Sequence, residues 1–324
     1  MMDEKRRLQT QIKDNLNSIG ERLNGRPVTV AFVGAVGVGK SSLINTIATA
    51  MAKESWQQHA YTGGHGGQAE PVTAVIRRYP QCCRPEVHKN KLFPTLMDVQ
   101  GLPDHIDATW REVLSLLFYG RIPEQENLLD VVAYLEARDE FRRPKYCLGR
   151  DDLKVDRVVV VASAQEDLPM DLLETLVEVA RPIRGSSRRG IPIFGVMTKC
   201  DLVDPEVDVD YQHRERRFKD VLGLQGTPRF LRCINYSSDI DPDNNMIFTN
   251  YPYIDVPVLR LMTQICDPAI EVVHQHEPYP YWHFLREKSL WIIVTIFVIF
   301  LRSYVFCPKA APDADFPYAV DSVK

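Results

Sequence analysis

The sequence predicts an α/β fold around a mostly parallel, doubly wound β-sheet. Apolar, β-branched runs alternate along the chain with segments of helical periodicity, and the strand-like runs include 28–33, 158–162 and 191–197. Strands joined in this way pair in parallel, because each connecting helix crosses back over the sheet. A glycine-rich turn follows the first strand and leads into a helix, which is typical of such a sheet where it binds a phosphate group.

The turn after the first strand has the spacing of a phosphate-binding loop. Glycines let the backbone approach phosphate oxygens that a Cβ atom would block, and the amides at the following helix start favour negative charge. We expect Lys40 to reach the β- and γ-phosphates of a nucleotide, and the Ser41 hydroxyl to complete a Mg²⁺ shell. The nucleotide-binding residues that this loop predicts are Gly34, Gly37, Gly39, Lys40, Ser41 and Ser42.

The tetrapeptide TKCD, directly after the run 191–197, indicates which nucleotide binds. The carboxylate of Asp201 can accept hydrogen bonds from the N1 and N2 hydrogens of guanine, whereas adenine offers no matching pair of donors. We expect the stem of Lys199 along the base plane and its ammonium near the phosphate loop. With Thr198, these residues predict GTP and GDP as ligands and disfavour ATP.

A third motif, DVQG, begins at Asp98. We expect Asp98 to hold Mg²⁺, usually through water, and the Gly101 amide to meet the γ-phosphate, so that 101–108 form the second switch segment. The residue after this glycine is Leu102, which cannot orient an attacking water as a glutamine would. Gln100 lies one residue too early for that role and is expected to point elsewhere.

The first switch segment should supply a hydroxyl to Mg²⁺ and the γ-phosphate just before the next strand. Thr73 fits this position because 74–79 read as a short strand, and Thr62, before the glycine-rich loop 63–67, is the alternative. The predicted catalytic residues are Lys40 and Thr73, and the predicted metal ligands are Ser41, Thr73 and Asp98.

A last loop is needed to place a backbone amide against the base oxygen. The strand-like segment 230–234 runs into NYSS at 235–238, which is the candidate at the right place in the motif order. Ser237 is the residue that this loop predicts for nucleotide binding.

The order and wording of these motifs resemble the interferon-induced protein 44 family of GTPase-like proteins. The matching segments are GAVGVGKSSLIN, the Thr73 region with the strand that ends at Arg78-Tyr79, MDVQGL, GVMTKCDLV and INYSSDIDPDNN. The resemblance covers about 26–275, and immunity-related and dynamin-like GTPases share the general order. It implies a phosphate-loop GTPase fold and a cytoplasmic guanine nucleotide-binding protein linked to innate defence or restraint of proliferation.

The composition agrees with one main domain. The 324 residues are 45% apolar, which suffices for a sizeable core. A net charge of −4 and a pI near 6.1 give no reason to expect a nucleic acid partner. Seven cysteines without C-x-x-C spacing predict reduced thiols. The predicted regions are an N-terminal amphipathic helix at 1–25, a GTPase domain at 26–276 with a helical insertion at about 109–150, and a tail at 277–324.

The N-terminal helix carries a stripe of apolar residues at helical spacing, and the chain turns at Asn24-Gly25. Packing on the GTPase domain is the expected role of the stripe, and pairing with a second chain is the alternative. The stripe consists of Leu8, Ile12, Leu16, Ile19 and Leu23.

The tail contains a C-terminal hydrophobic helix at 290–307, the predicted membrane segment. As a helix it would cover roughly 27 Å, close to the thickness of a thin bilayer. Arg302 lies near its end, where a long side chain can extend to the interface. The alternative is a buried helix or strand, since the uncharged stretch 290–301 alone is too short to span. The sequence thus favours a cytoplasmic GTPase domain anchored by its tail in an intracellular membrane.

Two functions follow. The first is a slow, Mg²⁺-dependent GTPase switch tethered to a membrane, which needs an activating protein or a homodimer for hydrolysis. The second is a GTP-binding scaffold without significant turnover. Lys40, Ser41, Thr73 and Asp98 favour the switch, and Leu102 favours the scaffold.

Overall fold

The chain divides into two compact units, Met1–Glu277 and Pro278–Lys324. In the computed structural model the described residues belong to the first unit, and they are 2–52, 56–57, 60, 75–79, 93–137, 145–181, 190–236, 246–247 and 250–270, with 56–57 and 246–247 described by backbone alone. The membrane segment expected at 290–307 lies outside these residues. Among the helices within them, none is long and apolar enough to cross a bilayer.

The secondary structure alternates as the apolar pattern predicts. The helices are α1 Met2–Arg22, α2 Lys40–Met51, α3 Ala108–Phe118, α4 Leu128–Glu136, α5 Met170–Ala180, α6 Val209–Val221 and α7 Pro252–Ile265. The strands are β1 Thr29–Val33, β2 Trp56–Gln57, β3 Arg77–Tyr79, β4 Thr95–Asp98, β5 Arg157–Ser163, β6 Ile193–Thr198, β7 Phe230–Arg232 and β8 Met246–Ile247.

Six strands form one sheet in the order β3-β4-β1-β5-β6-β7. Neighbouring strands from β4 to β7 pair in parallel, and only the edge strand β3 is antiparallel to its neighbour β4. The mostly parallel, doubly wound sheet is therefore confirmed. The strand order reverses at β1, and ligands of such sheets bind at this point, outside the carboxyl ends of the strands.

Helices cover both faces of the sheet and create two hydrophobic layers. Strand β1 alternates between them: Ala31 and Val33 join the layer formed with α3, α4, α5 and α6, whereas Val30 and Phe32 join the layer formed with α1, α2 and α7. Every residue of β1 is buried. A strand covered on both faces reads as a continuous apolar run, which explains the sequence pattern at 28–33.

Helix α1 belongs to the second layer. Its stripe residues Leu8, Ile12, Leu16 and Ile19 are buried in the same cluster as Met262 of α7. The helix is followed by Asn24 and Gly25, both in the left-handed region, as the sequence predicts. The stripe is therefore used for packing within the chain.

The region expected to be an insertion contains a regular part of the fold. Helix α3 connects β4 to the parallel strand β5, and its residues Val113, Leu114 and Leu117 lie in the first hydrophobic layer. Helix α4 packs beside α3 through Leu128 and Val131 of the same layer. The crossover helix was hidden in the sequence because the proline-interrupted segment after it continues the helical character.

Candidate functional site

The phosphate loop lies between β1 and α2, at the strand where the sheet order reverses. Gly37 and Gly39 have φ values of 77° and 87°, in the left-handed region that favours glycine. A Cβ atom on Gly34 would lie 2.2 Å from the Val161 carbonyl oxygen of β5. The glycines at these positions are required by the path of the backbone itself.

Lys40 lies folded over this loop. Its Nζ donates to the carbonyl oxygens of Ala35 at 2.7 Å and Gly34 at 3.2 Å, and the residue is 6% exposed. Burial lowers the pKa of Lys40 to about 8, and the nearby carboxylate of Asp98 opposes that shift. The ammonium is thus held where it can exchange loop carbonyls for phosphate oxygens.

Ser41 and Asp98 meet beside the loop. The Ser41 hydroxyl donates to Oδ2 of Asp98 at 2.7 Å, while Oδ1 of this 1% exposed residue has no hydrogen-bond partner among the described residues. Burial raises the pKa of Asp98, against the lowering effects of the Ser41 hydrogen bond and Lys40. An unpaired buried carboxylate oxygen next to a hydroxyl suits a hard cation such as Mg²⁺.

The fit concerns Mg²⁺ in particular. The described ranges hold no group of three or more His, Cys, Asp and Glu side chains that could enclose a metal ion. Mg²⁺ needs no such cage, because it usually keeps several waters and binds one or two carboxylates together with phosphates. One carboxylate and one hydroxyl, from Asp98 and Ser41, agree with that mode.

The segment after Asp98 packs directly on the phosphate loop. The amide of Leu102 donates to the Gly34 carbonyl at 3.1 Å, and Leu102 forms a parallel bridge with Ala35. A Cβ atom on Gly101 would lie 2.6 Å from Cγ2 of Val36. Gly101 is therefore required by close approach, and the start of the predicted second switch contacts the loop that it should sense.

Side chains near this contact are poorly suited to orienting water. Leu102 is 1% exposed and lies in the first hydrophobic layer. Gln100 is buried, and its Oε1 has no hydrogen-bond partner within the described part of the chain.

The end of β6 forms the other half of the site. The Thr198 hydroxyl donates to the Val38 carbonyl of the phosphate loop at 2.6 Å. The Nζ of Lys199 lies 2.7 Å from Oε1 of Glu166, in the loop after β5. The ammonium of Lys199 thus pairs with a surface carboxylate, and its expected place near the phosphate loop stays a prediction. Asp201 is exposed on the short turn after β6.

The loop after β7 also reaches the site. Asn235 places its Nδ2 3.5 Å from the Gly39 carbonyl, and its Oδ1 accepts from the Thr46 hydroxyl of α2 at 3.2 Å. Sequence reasoning chose Ser237 in this loop and missed Asn235. The usable signal was its place just after a strand adjacent to β6, since neighbouring parallel strands end at the same edge of the sheet.

The structure brings most of the expected residues together. The residues of the phosphate loop and of the neighbouring strand ends contact one another or lie within one helical turn of such a contact. They are Gly34, Gly37, Gly39, Lys40, Ser41, Ser42, Asp98, Gly101 and Thr198. Lys199 and Asp201 follow β6 at the same edge. Thr73, its alternative Thr62 and Ser237 lie outside the described residues, so those assignments stay predictions.

The sheet order and the loop between β1 and α2 define the phosphate-loop GTPase fold. Two structures of Toc33 from Arabidopsis thaliana are similar to this chain. The complex with GDP and Mg²⁺ is 13% identical with a TM-score of 0.42, and the match covers 83% of this chain and 96% of Toc33. A dimerization-deficient mutant is 11% identical with a TM-score of 0.43, and the match covers 83% of this chain and 95% of the mutant. A Sar1 GTPase from Encephalitozoon cuniculi with GDP is 12% identical with a TM-score of 0.34, covering 82% and 88%.

At these scores the likenesses carry no argument of their own, and the fold assignment depends on the strand order and the loop described above. No protein-family model and no curated protein sequence matches the chain. The resemblance to the interferon-induced protein 44 family accordingly stays a prediction.

Proposed function

We propose that this protein binds GTP and GDP with Mg²⁺ and acts as a switch with slow hydrolysis. The observation that carries the proposal is the arrangement of Lys40, Ser41 and Asp98 around a glycine loop at the reversal point of the sheet. A buried ammonium, a hydroxyl and a carboxylate with one oxygen unpaired within the described ranges supply what a nucleotide phosphate and its metal ion need.

The phosphate end of the site works through groups that are already in place. Lys40 would leave the carbonyls of Gly34 and Ala35 and bind the β- and γ-phosphates, which restores full charge pairing to a buried ammonium. Ser41 and Asp98 would hold Mg²⁺, which supplies charge neutralisation between the β- and γ-phosphates. The Gly101 amide would then report the γ-phosphate to 101–108.

The base end selects guanine. Asp201 is exposed after β6, so its carboxylate is free of the core and can accept from the two donors of the guanine edge. Glu166 holds the ammonium of Lys199 at the surface, which leaves its aliphatic stem to cover the base plane. Asn235 would fix the last loop against Gly39.

Hydrolysis is expected to be slow because the residue after Gly101 and the loop residue packed on it are both apolar. Leu102 is buried, and Val36 is 41% exposed and packs on Gly101 next to the amide that would meet the γ-phosphate. Neither side chain can accept a proton from water or orient it. Fast turnover would need an activating protein or self-association into a homodimer, and the same observation favours the second candidate, a GTP-binding scaffold without turnover.

Finer assignments depend on the sequence alone. The motif wording supports membership in the interferon-induced protein 44 family and a role in innate defence. The apolar stretch at 290–307 supports tethering of a cytoplasmic domain to an intracellular membrane. Deleting 289–307 should release the protein from membranes, and carbonate-resistant membrane binding by the deleted form would refute the tether.

The test of nucleotide binding uses the full chain purified in detergent. Titration with fluorescent GDP and GTP, with and without Mg²⁺, should show saturable binding that unlabelled GTP displaces and ATP does not. Turnover is measured on the same sample over a range of protein concentrations. Saturable binding without turnover at any concentration would favour the scaffold, and an absence of binding would overturn the proposed function.

A further inference from the structure

A buried polar network joins the first helix to the nucleotide site. Nζ of Lys5 in α1 lies 2.6 Å from Oδ2 of Asp255 in α7. Lys5 is 7% exposed and Asp255 is 0% exposed. This pair connects two elements that are 250 residues apart in the chain.

The hydrogen-bond network extends through Asp255 to the loop after β7. Its second oxygen, Oδ1, accepts from the hydroxyl of Tyr236 at 3.0 Å, and the same hydroxyl accepts from the backbone amide of Tyr251 at 2.7 Å. The Tyr236 side chain is buried against Ala48 of α2 and Ile254 of α7. The phenol therefore has a donor and an acceptor contact, which together fix the position of its oxygen.

Tyr236 is also held through its backbone, next to the phosphate loop. Its amide donates to the Thr46 hydroxyl of α2 at 3.1 Å, and that hydroxyl lies 3.2 Å from Oδ1 of Asn235. Asn235 in turn approaches the Gly39 carbonyl. A series of hydrogen bonds and polar contacts of up to 3.5 Å thus runs from α1 to the loop that precedes Lys40, with the Thr46 proton shared between Asn235 and the Ser42 carbonyl.

The ion pair is not needed to attach α1. The apolar stripe of the helix is already buried on α7, and an exposed pair between Glu4 and Arg260 also joins the two helices. A buried ion pair adds little stability over well-packed apolar side chains, but it demands one geometry. In this case the geometry directs one oxygen of Asp255 to Lys5 and the other to Tyr236.

We propose that Lys5, Asp255 and Tyr236 are positioning residues of the nucleotide site, so that docking of α1 and binding of guanine nucleotide stabilise each other. The inference depends on the proposed function, because it assumes that the loop after β7 contacts the base. Lys5 acts through Asp255 to fix Tyr236, and Tyr236 fixes 233–236, the described start of the loop that would meet the guanine oxygen. Coupling of this kind is reciprocal by thermodynamic necessity.

The experiment compares Lys5→Met with Glu4→Gln in the full chain. Each variant breaks one ion pair between α1 and α7, but only Lys5 leads to Tyr236. The readouts are the dissociation rate of fluorescent GDP and the preference for GDP over the 2-aminopurine analogue, which lacks the base oxygen and also the N1 hydrogen that Asp201 would accept. Because Asp201 is unchanged in all of the variants, the comparison between them isolates the oxygen contact. Lys5→Met should release GDP about tenfold faster and lose part of the preference, as expected for one charge-assisted hydrogen bond. Glu4→Gln should match the wild type.

Two further measurements keep the test decisive if Lys5→Met folds poorly. Lys5→Arg should restore most of the preference for GDP, and Tyr236→Phe, which removes only the hydroxyl, should lose it. In the wild type, GDP should slow hydrogen exchange of the amides of α1. This inference alone would be overturned if the GDP dissociation rate and the base preference were unchanged in both Lys5→Met and Tyr236→Phe. It would also be overturned if GDP did not change the rate of hydrogen exchange of the α1 amides. A wild type that binds no GDP would overturn the proposed function and the inference with it.

Discussion

The two ends of the candidate site are built differently. At the phosphate end, Lys40 and Asp98 are buried, and their charged groups contact the loop and Ser41. At the base end, Asp201 is exposed and Lys199 forms its ion pair with Glu166 at the surface. One end is organised by the core of the domain, and the other by loops that extend beyond it.

This difference predicts how the free energy of nucleotide binding is divided between the two ends of the site. Charges in a buried, low-dielectric setting interact strongly with phosphates, whereas exposed groups are screened by water. The phosphate end should therefore dominate affinity and the base end should set selectivity. The predictions that follow test this division, from the largest expected effect to the smallest.

Removing the buried ammonium should have the largest effect. Lys40→Ala is expected to weaken GDP binding by about 1000-fold, because it removes a desolvated charge that pairs with phosphates. Lys199→Ala, the matched change at the exposed end, should cost only about tenfold. Isothermal titration of both variants measures the two losses, and equal losses would contradict the division of the site.

The selectivity of the base end should depend on one carboxylate. Asp201→Asn is expected to shift preference from guanine toward xanthine nucleotides by about 100-fold, since an amide can donate to the xanthine oxygen. Because Asp201 is exposed, the thermal unfolding temperature should stay the same. Competition binding with GDP and XDP gives the ratio, and Asp204→Asn in the following turn is the control. An unchanged ratio would remove Asp201 from base recognition.

Removing Mg²⁺ should weaken nucleotide binding less than removing the Lys40 side chain does, and the effect of Mg²⁺ should require Asp98. Removing Mg²⁺ with a chelator should weaken nucleotide binding by roughly tenfold to 100-fold in the wild type. Asp98→Asn should bind as the metal-free wild type does and should not respond to Mg²⁺. Fluorescent GDP titrations at several Mg²⁺ concentrations measure this dependence. A Mg²⁺ response retained by Asp98→Asn would place the metal elsewhere.

The smallest expected effect concerns hydrolysis. Leu102→Gln would add an amide able to orient water and should raise the single-turnover rate by about tenfold, at some cost in stability because Leu102 is buried. Leu102→Met keeps the volume and apolar character and should leave the slow rate as it is. Equal rates in the two variants would mean that water is positioned by another part of the molecule.

Local patterns predicted the phosphate end well. The strand, the glycine loop and the start of α2 are consecutive in the chain, so spacing alone places Gly34, Lys40 and Ser41 on one turn. The hydrogen-bond partner of each polar group was harder to predict from the sequence. Lys40 donates to its own loop carbonyls at Gly34 and Ala35, and spacing along the chain does not specify these partners.

The base end was predicted with less detail because it is assembled from loops of different strands. Asn235 and Glu166 are polar loop residues without a distinctive spacing. Their places after strands put them at the correct edge of the sheet, but the partners Gly39 and Lys199 are set by packing between loops. The choice of Ser237 over Asn235 reflects that lack of a local signal.

The sequence by itself determined the fold class, the order of the nucleotide-binding motifs along the chain and the identity of the phosphate loop. Periodicity and close spacing suffice for these because they are local properties of a chain. Only the tertiary structure decided that Lys5 meets Asp255 across 250 residues, that one oxygen of Asp98 has no partner among the described residues, and that Lys199 pairs with Glu166. Such contacts arise when distant elements pack around a common core, and the burial they create then sets the charge and geometry of the site.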